Sequence, residues 1–286
     1  MDSLELKAYA KINLAIDLLG KRYDGYNEVK MIMQTIDIFD KICLSKIDKG
    51  IIINCDDETI PRDSRNIAYK AANIMFDRYN INGGLKIDIS KNIPVSAGLG
   101  GGSADAASVI EGINTLFGLN LDIGTMLKIG KEIGADVPYC IFKNTVLATG
   151  IGEKMTRLPN FDCLDLVIVK PNFGVSTKKV YEEFDYMLPK RRPDFEVLIR
   201  GIQNKNIDDV ACNMVNVLET VTLKNNPLIK SIKYHLLKMG AKGAMMSGSG
   251  PTVFAIFQNE EVAKKAYSKL KSDKSYQCYL TKTICF

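Results

Sequence analysis

The chain has 286 residues, of which 46% are hydrophobic and 25% are charged, and its formal net charge is +5. These values are typical of a globular protein, exclude a disordered chain and give no strong basic patch for nucleic acid. No apolar run reaches the about 18 residues of a membrane span, and the first residues lack a signal-peptide pattern. We therefore expect no nucleic-acid partner and no membrane partner.

Cysteine and histidine usage restricts the chemistry further. Seven cysteines without a C-x-x-C pair predict free thiols in a reducing cytoplasm. The single histidine, His235, lies in an amphipathic stretch, where we expect a surface helix residue. One histidine cannot build a multi-histidine metal site, and any Ser–His or Cys–His catalytic pair would have to use it. The chemistry is therefore predicted to depend on lysine, aspartate, backbone amides and a cofactor or metal.

The first half of the chain begins with strand patterns and continues with helices. Strands are predicted from alternation and apolar runs at residues 4–19, 31–38, 41–44, 51–54 and 85–89. Apolar residues at helical spacing predict helices at residues 66–79, 106–117 and 123–133. Gly118 fits the position after a helix end, and Asp122 is a candidate N-cap.

The pattern restarts after residue 152. Strands are predicted at residues 164–169, 252–257 and 277–284, and helices at residues 175–187, 195–203, 210–223, 227–238 and 260–270. We therefore expect two α+β domains, residues 1–156 with the nucleotide and residues 157–286 completing a substrate cleft.

A glycine-rich segment lies between the strand at 85–89 and the helix that follows. Small residues and a helix N-terminus let several backbone N–H groups point at one anion, which predicts phosphate binding. The segment is not a Walker A motif, because no lysine follows its glycines, and it lacks the third glycine of a dinucleotide-binding fingerprint. A plain hinge is the simpler alternative, but the preceding proline and the Ser/Ala-rich helix start argue against it. The candidate loop residues are Pro94, Val95, Ser96, Ala97, Gly98, Leu99, Gly100, Gly101, Gly102, Ser103 and Ala104.

This loop resembles the shared motif P-x-x-x-G-L-G-S/G-S/G-S/A-A of the GHMP kinase superfamily. Further similarity lies in residues 8–14 (AYAKINL), 22–26 (RYDGY), 134–138 (GADVP) and 248–252 (GSGPT). The resemblance extends over nearly the whole chain in the expected order. It implies an α+β, GHMP kinase-like two-domain fold, with a first domain like domain 2 of ribosomal protein S5 and a ferredoxin-like second domain.

The resemblance also implies an ATP-dependent phosphotransferase with an alcohol acceptor. Mg²⁺ would be held mainly through the ATP phosphates, which agrees with the lack of a dedicated carboxylate cage in the sequence. Ser103 and Asp105 are candidate contributors on the metal side of the loop, although an aspartate in the first turn also suits the helix dipole.

Two residues are candidates for catalysis. Asp136 follows a helix end and precedes Val137-Pro138, where proline should keep the chain extended and stiff. By spacing alone it would be a turn residue; the resemblance implies the catalytic base. Lys11 lies in an apolar strand, where a lysine would usually reach the surface. The resemblance implies that Lys11 keeps Asp136 ionised and orients the hydroxyl, with Asn13 as a polar ligand of the substrate.

The substrate implied by the resemblance is a cytidyl diphosphate sugar alcohol of the non-mevalonate route to isoprenoid precursors. Relatives of that kind stack the cytosine between aromatic residues, for which Tyr26 and Tyr181 are the candidates here. Asn27 departs from the family, which usually has histidine at this position; an asparagine can still donate to and accept from a cytosine edge.

Three alternatives remain open at this stage. The chain could be another GHMP kinase acting on homoserine or mevalonate, against which the residues 24–26 and the triple glycine argue. It could be a catalytically silent nucleotide-binding regulator, against which the retention of both Lys11 and Asp136 argues. A nucleic-acid-binding module has only the mild basicity in its favour.

Overall fold

A computed structural model describes residues 2–286 of the chain. Contacts divide the chain into two units, and each unit is made of three separate stretches of the sequence. The first unit comprises the residues up to Ala10 together with residues 38–95 and 100–142. The second comprises residues 11–37, 96–99 and 143–286. This division does not test the expected boundary after residue 156, which stays a prediction.

Two long strands supply residues to both units. They are β1 (Ser3–Lys21) and β2 (Asn27–Ile47), joined by a turn in which the Arg22 N–H donates to the Tyr26 carbonyl at 2.8 Å. The sequence predicted a break in the second strand between residues 38 and 41. That prediction was wrong, because Asp40 is a fully buried residue within the strand rather than a turn residue.

The first unit contains β3 (Gly50–Cys55), β4 (Gly84–Ser90) and the end of β2. Strand β4 is antiparallel to β2, with Ile42 opposite Ile89, and β3 is parallel to β4. Its helices are α1 (Ile67–Tyr79), α2 (Gly101–Leu116), α3 (Ile123–Ile133) and α4 (Val137–Phe142).

Helix α2 is the central helix of this unit, and ten of its residues are buried. A Cβ at Gly112 would lie 2.3 Å from Leu44 Cδ1, so this glycine lets the helix approach β2 closely. As predicted, Asp122 caps α3 by accepting from the Thr125 N–H at 2.8 Å, and Gly118 has the positive φ expected after a helix end.

The second unit includes a four-stranded antiparallel sheet. Its strands are β7 (Asp165–Pro171), β9 (Gly243–Met246), β10 (Val253–Phe257) and β11 (Tyr276–Lys282), in the order β11-β7-β10-β9. Helices α9 (Pro227–Lys238) and α10 (Glu260–Lys271) pack on this sheet. Numbered in chain order within this sheet, the strands lie in the order 4-1-3-2. This is the ferredoxin-like order that the resemblance implied.

Two of the remaining strands of the second unit pair with the second half of β1 and the first half of β2. Strand β5 (Thr145–Gly150) is antiparallel to β2, and β6 (Lys154–Arg157) is antiparallel to β5. Strand β8 (Val215–Asn216) is parallel to β1, with Ala15 opposite Val215. The helices are α5 (Thr177–Glu182), α6 (Phe195–Gln203), α7 (Ile207–Asn213) and α8 (Glu219–Asn225). The helix predicted at 210–223 was therefore wrong in its middle, where the chain leaves α7 to pair with β1.

None of the helices in residues 2–286 is both long enough and apolar enough to cross a membrane.

Candidate active site

The glycine-rich loop presents its backbone N–H groups without using them inside the protein. It leads from β4 to the start of α2, and Ser96, Gly98 and Gly100 all have positive φ angles, of 52°, 73° and 74°. Within residues 2–286, none of the N–H groups from Ser96 to Ser103 has a hydrogen-bond acceptor. Unpaired N–H groups before a helix N-terminus favour an anion, which supports phosphate binding by this loop. That binding stays a prediction.

A second glycine-containing turn touches this loop at Gly98. The Ser247 hydroxyl donates to the Gly98 carbonyl at 2.9 Å, and a Cβ at Gly98 would lie only 2.3 Å from the Ser247 carbonyl oxygen. Residues 247–250 therefore fit against Gly98 backbone to backbone, and only glycine permits this approach.

Lys11 lies beside the same two loops. Its backbone N–H donates to the Leu99 carbonyl at 3.0 Å, and its ammonium is 3.6 Å from the point where a Cβ on Gly248 would be. The side chain is only 4% exposed, and Nζ donates to Asn13 Oδ1 at 2.8 Å. A lysine in an apolar strand would usually reach the surface, but Lys11 is buried here beside the two loops. A buried ammonium next to an anion site is suited to binding phosphate charge.

Asp136 lies in the first unit, in the turn between α3 and α4. It is half-buried, and its carbonyl accepts from the Cys140 N–H at 3.1 Å. The expectation of an extended, stiff chain after it was wrong. Pro138 occupies the second position of α4, where a helix needs no N–H donor. Asp136 thus precedes a helix start, and its catalytic role stays a prediction.

Asp105, a candidate for the metal side of the loop, pairs with a lysine in the structure. It is 4% exposed, and its Oδ2 lies 2.8 Å from Lys91 Nζ, which also pairs with Asp40. Burial and the nearby Asp40 carboxylate raise the pKa of Asp105 well above its usual range, although Lys91 opposes the shift. We call Asp40, Lys91 and Asp105 the charged triad.

The charged triad holds both ends of the phosphate loop. Asp40 Oδ1 accepts from the N–H groups of Asn92 and Ile93, at 2.6 and 2.8 Å, just before Pro94. Asp105 belongs to α2, just after the loop. The pKa of Lys91, which burial alone would lower, is raised by the Asp105 and Asp40 carboxylates. Sequence reasoning missed Asp40 and Lys91, since nothing local marks two residues 51 positions apart as partners.

The proposed cytosine-binding residues lie in the second unit. Tyr26 is 60% exposed at the β1–β2 turn, and Tyr181 is half-buried on α5. Asn27 accepts a hydrogen bond at Oδ1 from the hydroxyl of Tyr186. Sequence reasoning missed Tyr186, whose ring packs edge-on against Phe184 with centroids 5.1 Å apart. The Tyr186 contact fixes the orientation of the Asn27 amide and leaves its N–H₂ group as a donor.

No group of three or more His, Cys, Asp or Glu side chains in residues 2–286 is arranged to hold a metal ion. His235 is exposed on α9, as expected for a surface helix residue.

Comparison with known proteins adds the family. Residues 66–144 match the GHMP kinases N terminal domain, and residues 198–275 match the GHMP kinases C terminal domain. A 4-diphosphocytidyl-2-C-methyl-D-erythritol kinase from Acetivibrio thermocellus is 53% identical over 284 residues, covering 99% of this chain and 100% of the relative. The enzyme of the same description from Clostridium perfringens is 49% identical over 283 residues, covering 98% of both chains.

Solved structures agree with this assignment. The crystal structure of a 4-(cytidine 5'-diphospho)-2C-methyl-D-erythritol kinase superposes with a TM-score of 0.86 at 25% identity, covering 99% of this chain and 100% of that one. A homoserine kinase from Cytophaga hutchinsonii has a TM-score of 0.78 at 22% identity, covering 99% and 95%, and shares the fold. The chain is an ATP-dependent enzyme that belongs to the 4-diphosphocytidyl-2-C-methyl-D-erythritol kinases, within the GHMP kinase family.

Proposed function

We propose that this enzyme transfers the γ-phosphoryl group of ATP to the 2-hydroxyl of 4-diphosphocytidyl-2-C-methyl-D-erythritol, in the methylerythritol phosphate route to isoprenoid precursors. The observation that carries the proposal is the 53% identity to a kinase of that description over 99% of this chain. A homoserine or mevalonate kinase is the weaker candidate, because the likeness to such enzymes rests on the shared fold at 17–22% identity.

The phosphate loop is proposed to bind the ATP phosphates. Its unpaired N–H groups from Ser96 to Ser103 and the positive end of α2 both favour negative charge. Ser103, in the first turn of α2, is proposed to contribute to the metal side of this site. Mg²⁺, when bound to ATP, would neutralise charge on the phosphates. We place Asp105 outside this proposed site, because its carboxyl group pairs with Lys91 at 2.8 Å.

Asp136 is proposed as the general base and Lys11 as its positively charged partner. In the proposed step the 2-hydroxyl proton passes to the Asp136 carboxylate as the oxygen bonds to the γ-phosphorus. The bond from that phosphorus to the β–γ bridging oxygen breaks, and ADP leaves. Lys11 would orient the hydroxyl and stabilise negative charge, with Asn13 holding its ammonium at 2.8 Å.

Tyr26, Tyr181 and Asn27 are proposed to bind the cytidine end of the substrate. The aromatic rings offer faces for stacking, and the Asn27 amide, oriented by Tyr186, offers a donor to the base edge. We also propose a cytoplasmic location, which is supported by seven cysteines that are all free thiols.

The test is a substrate panel. The enzyme is incubated with Mg-ATP and, separately, 4-diphosphocytidyl-2-C-methyl-D-erythritol, homoserine or mevalonate, and ADP release is followed. We expect turnover with the cytidyl substrate alone, and ³¹P NMR of the product should show a new phosphomonoester at the 2-position. Turnover of homoserine or mevalonate instead would refute the proposed substrate. If no ADP were released with any of the three compounds, the kinase assignment would be refuted.

A further inference from the structure

The second glycine loop, Ser247–Gly250, connects β9 to β10 and has little internal support. Gly248 and Gly250 have positive φ angles of 58° and 87°. Inside the loop, the Gly250 N–H donates to the Ser247 carbonyl at 3.0 Å, and at its base the Ser247 N–H donates to Thr252 at 2.9 Å. Two glycines and two backbone bonds do not rigidify such a turn, so its shape depends on neighbouring side chains.

Asn216 supplies the first of these neighbours. It lies at the end of β8 and is 3% exposed. Its Nδ2 donates to the carbonyls of Met246 and Gly248, at 2.8 and 2.7 Å. Its Oδ1 accepts from the Leu218 N–H at 3.0 Å, which fixes the orientation of the amide.

Two residues of α8 complete the contacts. Glu219 Oε1 accepts from the Met246 N–H at 2.9 Å, and the same carboxylate forms an ion pair with Lys233. The Thr222 hydroxyl donates to the Ser249 carbonyl at 3.1 Å, and this residue is 1% exposed. The three side chains, three positions apart in sequence, thus hold the loop and its base at four backbone atoms.

We propose that Asn216, Glu219 and Thr222 form a brace whose role is to position the second glycine loop for phosphoryl transfer. The inference rests on the proposed function. None of the three residues is placed at the reacting atoms; they act through the loop. The loop in turn touches the phosphate loop at Gly98 and lies beside the Lys11 ammonium, so a displacement of the loop would move both.

The chemistry of the contacts explains why the brace uses polar side chains. Asn216 and Thr222 donate to three carbonyls, those of Met246, Gly248 and Ser249. The N–H groups of Gly248 and Ser249 have no acceptor in the described part of the chain, residues 2–286. Asn216 and Thr222 therefore engage carbonyls, and Glu219 engages the Met246 N–H. The N–H groups of Gly248 and Ser249 remain as donors, which suit an anionic substrate.

The experiment compares near-isosteric variants of Asn216 and of two threonines on α8. Thr222→Val removes only the hydroxyl that binds the loop, while Thr222→Ser keeps it. Thr220→Val is the matched control, because the Thr220 hydroxyl donates at 2.7 Å to the Val217 carbonyl and not to the loop. Asn216→Asp keeps the size and the acceptor for Leu218 but turns an oxygen toward two carbonyls. Circular dichroism and melting curves establish that each variant is folded.

We expect Thr222→Val and Asn216→Asp to lower kcat about tenfold or more while KM for ATP changes by less than about twofold, because misplaced groups cost rate. Thr222→Ser and Thr220→Val should remain close to the wild type. Amide hydrogen exchange of the peptide covering residues 246–250 should accelerate in the two impaired variants alone.

An unchanged kcat in folded Thr222→Val and Asn216→Asp would overturn the proposal, and so would an equal loss in Thr220→Val. Failure of the proposed function has a different signature, namely a wild-type enzyme that does not turn over the cytidyl substrate. In that case hydrogen exchange alone tests whether the brace holds the loop. Unchanged exchange at residues 246–250 in both Thr222→Val and Asn216→Asp would then refute the brace.

Discussion

Gly98 and Ser247 hold the two glycine loops together through their backbones. The Ser247 hydroxyl donates to the Gly98 carbonyl at 2.9 Å, and the Ser247 carbonyl oxygen occupies the space 2.3 Å from where a Cβ on Gly98 would be. Gly98 also has a φ of 73°. Two separate requirements, conformation and space, therefore exclude any other residue at this position.

The first prediction concerns Gly98→Ala. The left-handed backbone costs a residue with a Cβ about 1–2 kcal/mol, and the contact with Ser247 adds about 1–3 kcal/mol for overpacking. Because the strain falls on the phosphate loop, we expect kcat/KM for ATP to fall at least about a hundredfold. Steady-state kinetics and denaturant unfolding measure the two effects.

Gly118→Ala separates conformation from space. Gly118 has a φ of 65°, yet a Cβ there would have nothing within 4 Å. We expect it to lose the conformational part alone, about 1–2 kcal/mol, and to keep its activity. Equal effects of the two substitutions would show that the contact with Ser247 is unimportant.

The glycine loop shows how far local sequence signals extend. The sequence predicted the loop glycines Gly98 and Gly100, the helix cap at Asp122 and the helix end at Gly118. Each of these features depends only on residues a few positions away. The break between α7 and α8 could not be predicted in this way. The apolar pattern of residues 210–223 predicted one helix, but pairing of Val215 with Ala15 of β1 overrides it.

The same limit applies to the site. Lys11, Asp136 and the loop were proposed from motifs. The charged triad, Tyr186 and the brace are pairings across long stretches of chain, such as Asn216 with Met246 and Gly248, and their residue types alone indicate nothing. The partner of Asp105 could not be predicted for this reason: an aspartate near a helix start suits the dipole, and only the fold reveals Lys91 beside it.

The second prediction concerns Asp136, the proposed general base. Asp136→Asn keeps the size of the side chain and removes its basicity, so we expect kcat to fall at least about a hundredfold with ATP binding retained. Rapid-quench measurement of phosphoryl transfer reports the chemical step directly. Asp122→Asn is the control, because asparagine caps a helix as well as aspartate and this residue lies outside the proposed site. Full activity of Asp136→Asn would refute the assigned mechanism.

The third prediction concerns substrate recognition. Tyr186→Phe removes the hydroxyl that orients Asn27, so the amide is free to rotate. Losing one hydrogen bond of about 0.5–1.5 kcal/mol should raise KM for the cytidyl substrate roughly threefold to tenfold, with KM for ATP unchanged. Tyr23→Phe, at a side chain that is fully exposed, should have no effect. A parallel rise in both KM values would indicate a general disturbance and not loss of the Asn27 orientation.

The fourth prediction concerns the charged triad. Lys91→Met leaves Asp40 and Asp105 buried without their cation, and breaking such a buried pair typically costs about 3–5 kcal/mol of unfolding free energy. Lys86→Met is the matched control, since Lys86 pairs with Asp88 at 2.9 Å where both side chains are over a third exposed. That pair should contribute no more than about 1 kcal/mol. Denaturant unfolding of both variants checks the difference, and similar losses would contradict the burial argument.

The last prediction is the pH dependence of stability due to Asp105. Burial raises the pKa of this carboxyl well above the usual value of 3.8. As the pH rises above that value, the carboxyl ionises in the unfolded chain while the folded protein still holds its proton. The folded state then binds more protons, so its stability falls with rising pH until the folded pKa is passed. Asparagine cannot titrate. We therefore expect the unfolding free energy of the wild type, minus that of Asp105→Asn, to decrease as the pH rises above about 4 and not to increase again up to about pH 7.

Asp63→Asn gives the contrast. Hydrogen bonds from Arg65 lower the pKa of the exposed Asp63 carboxyl to about 2, so it stays ionised in the folded state throughout that pH range. The corresponding difference should be flat from about pH 4.5 upward, where both states are ionised. Urea unfolding at several pH values gives both curves. A difference for Asp105 that is flat or increases with pH would mean that Lys91 keeps this carboxylate charged in the folded protein. The phosphate loop would then be held by two carboxylates and one ammonium, with Asp105 charged and not neutral.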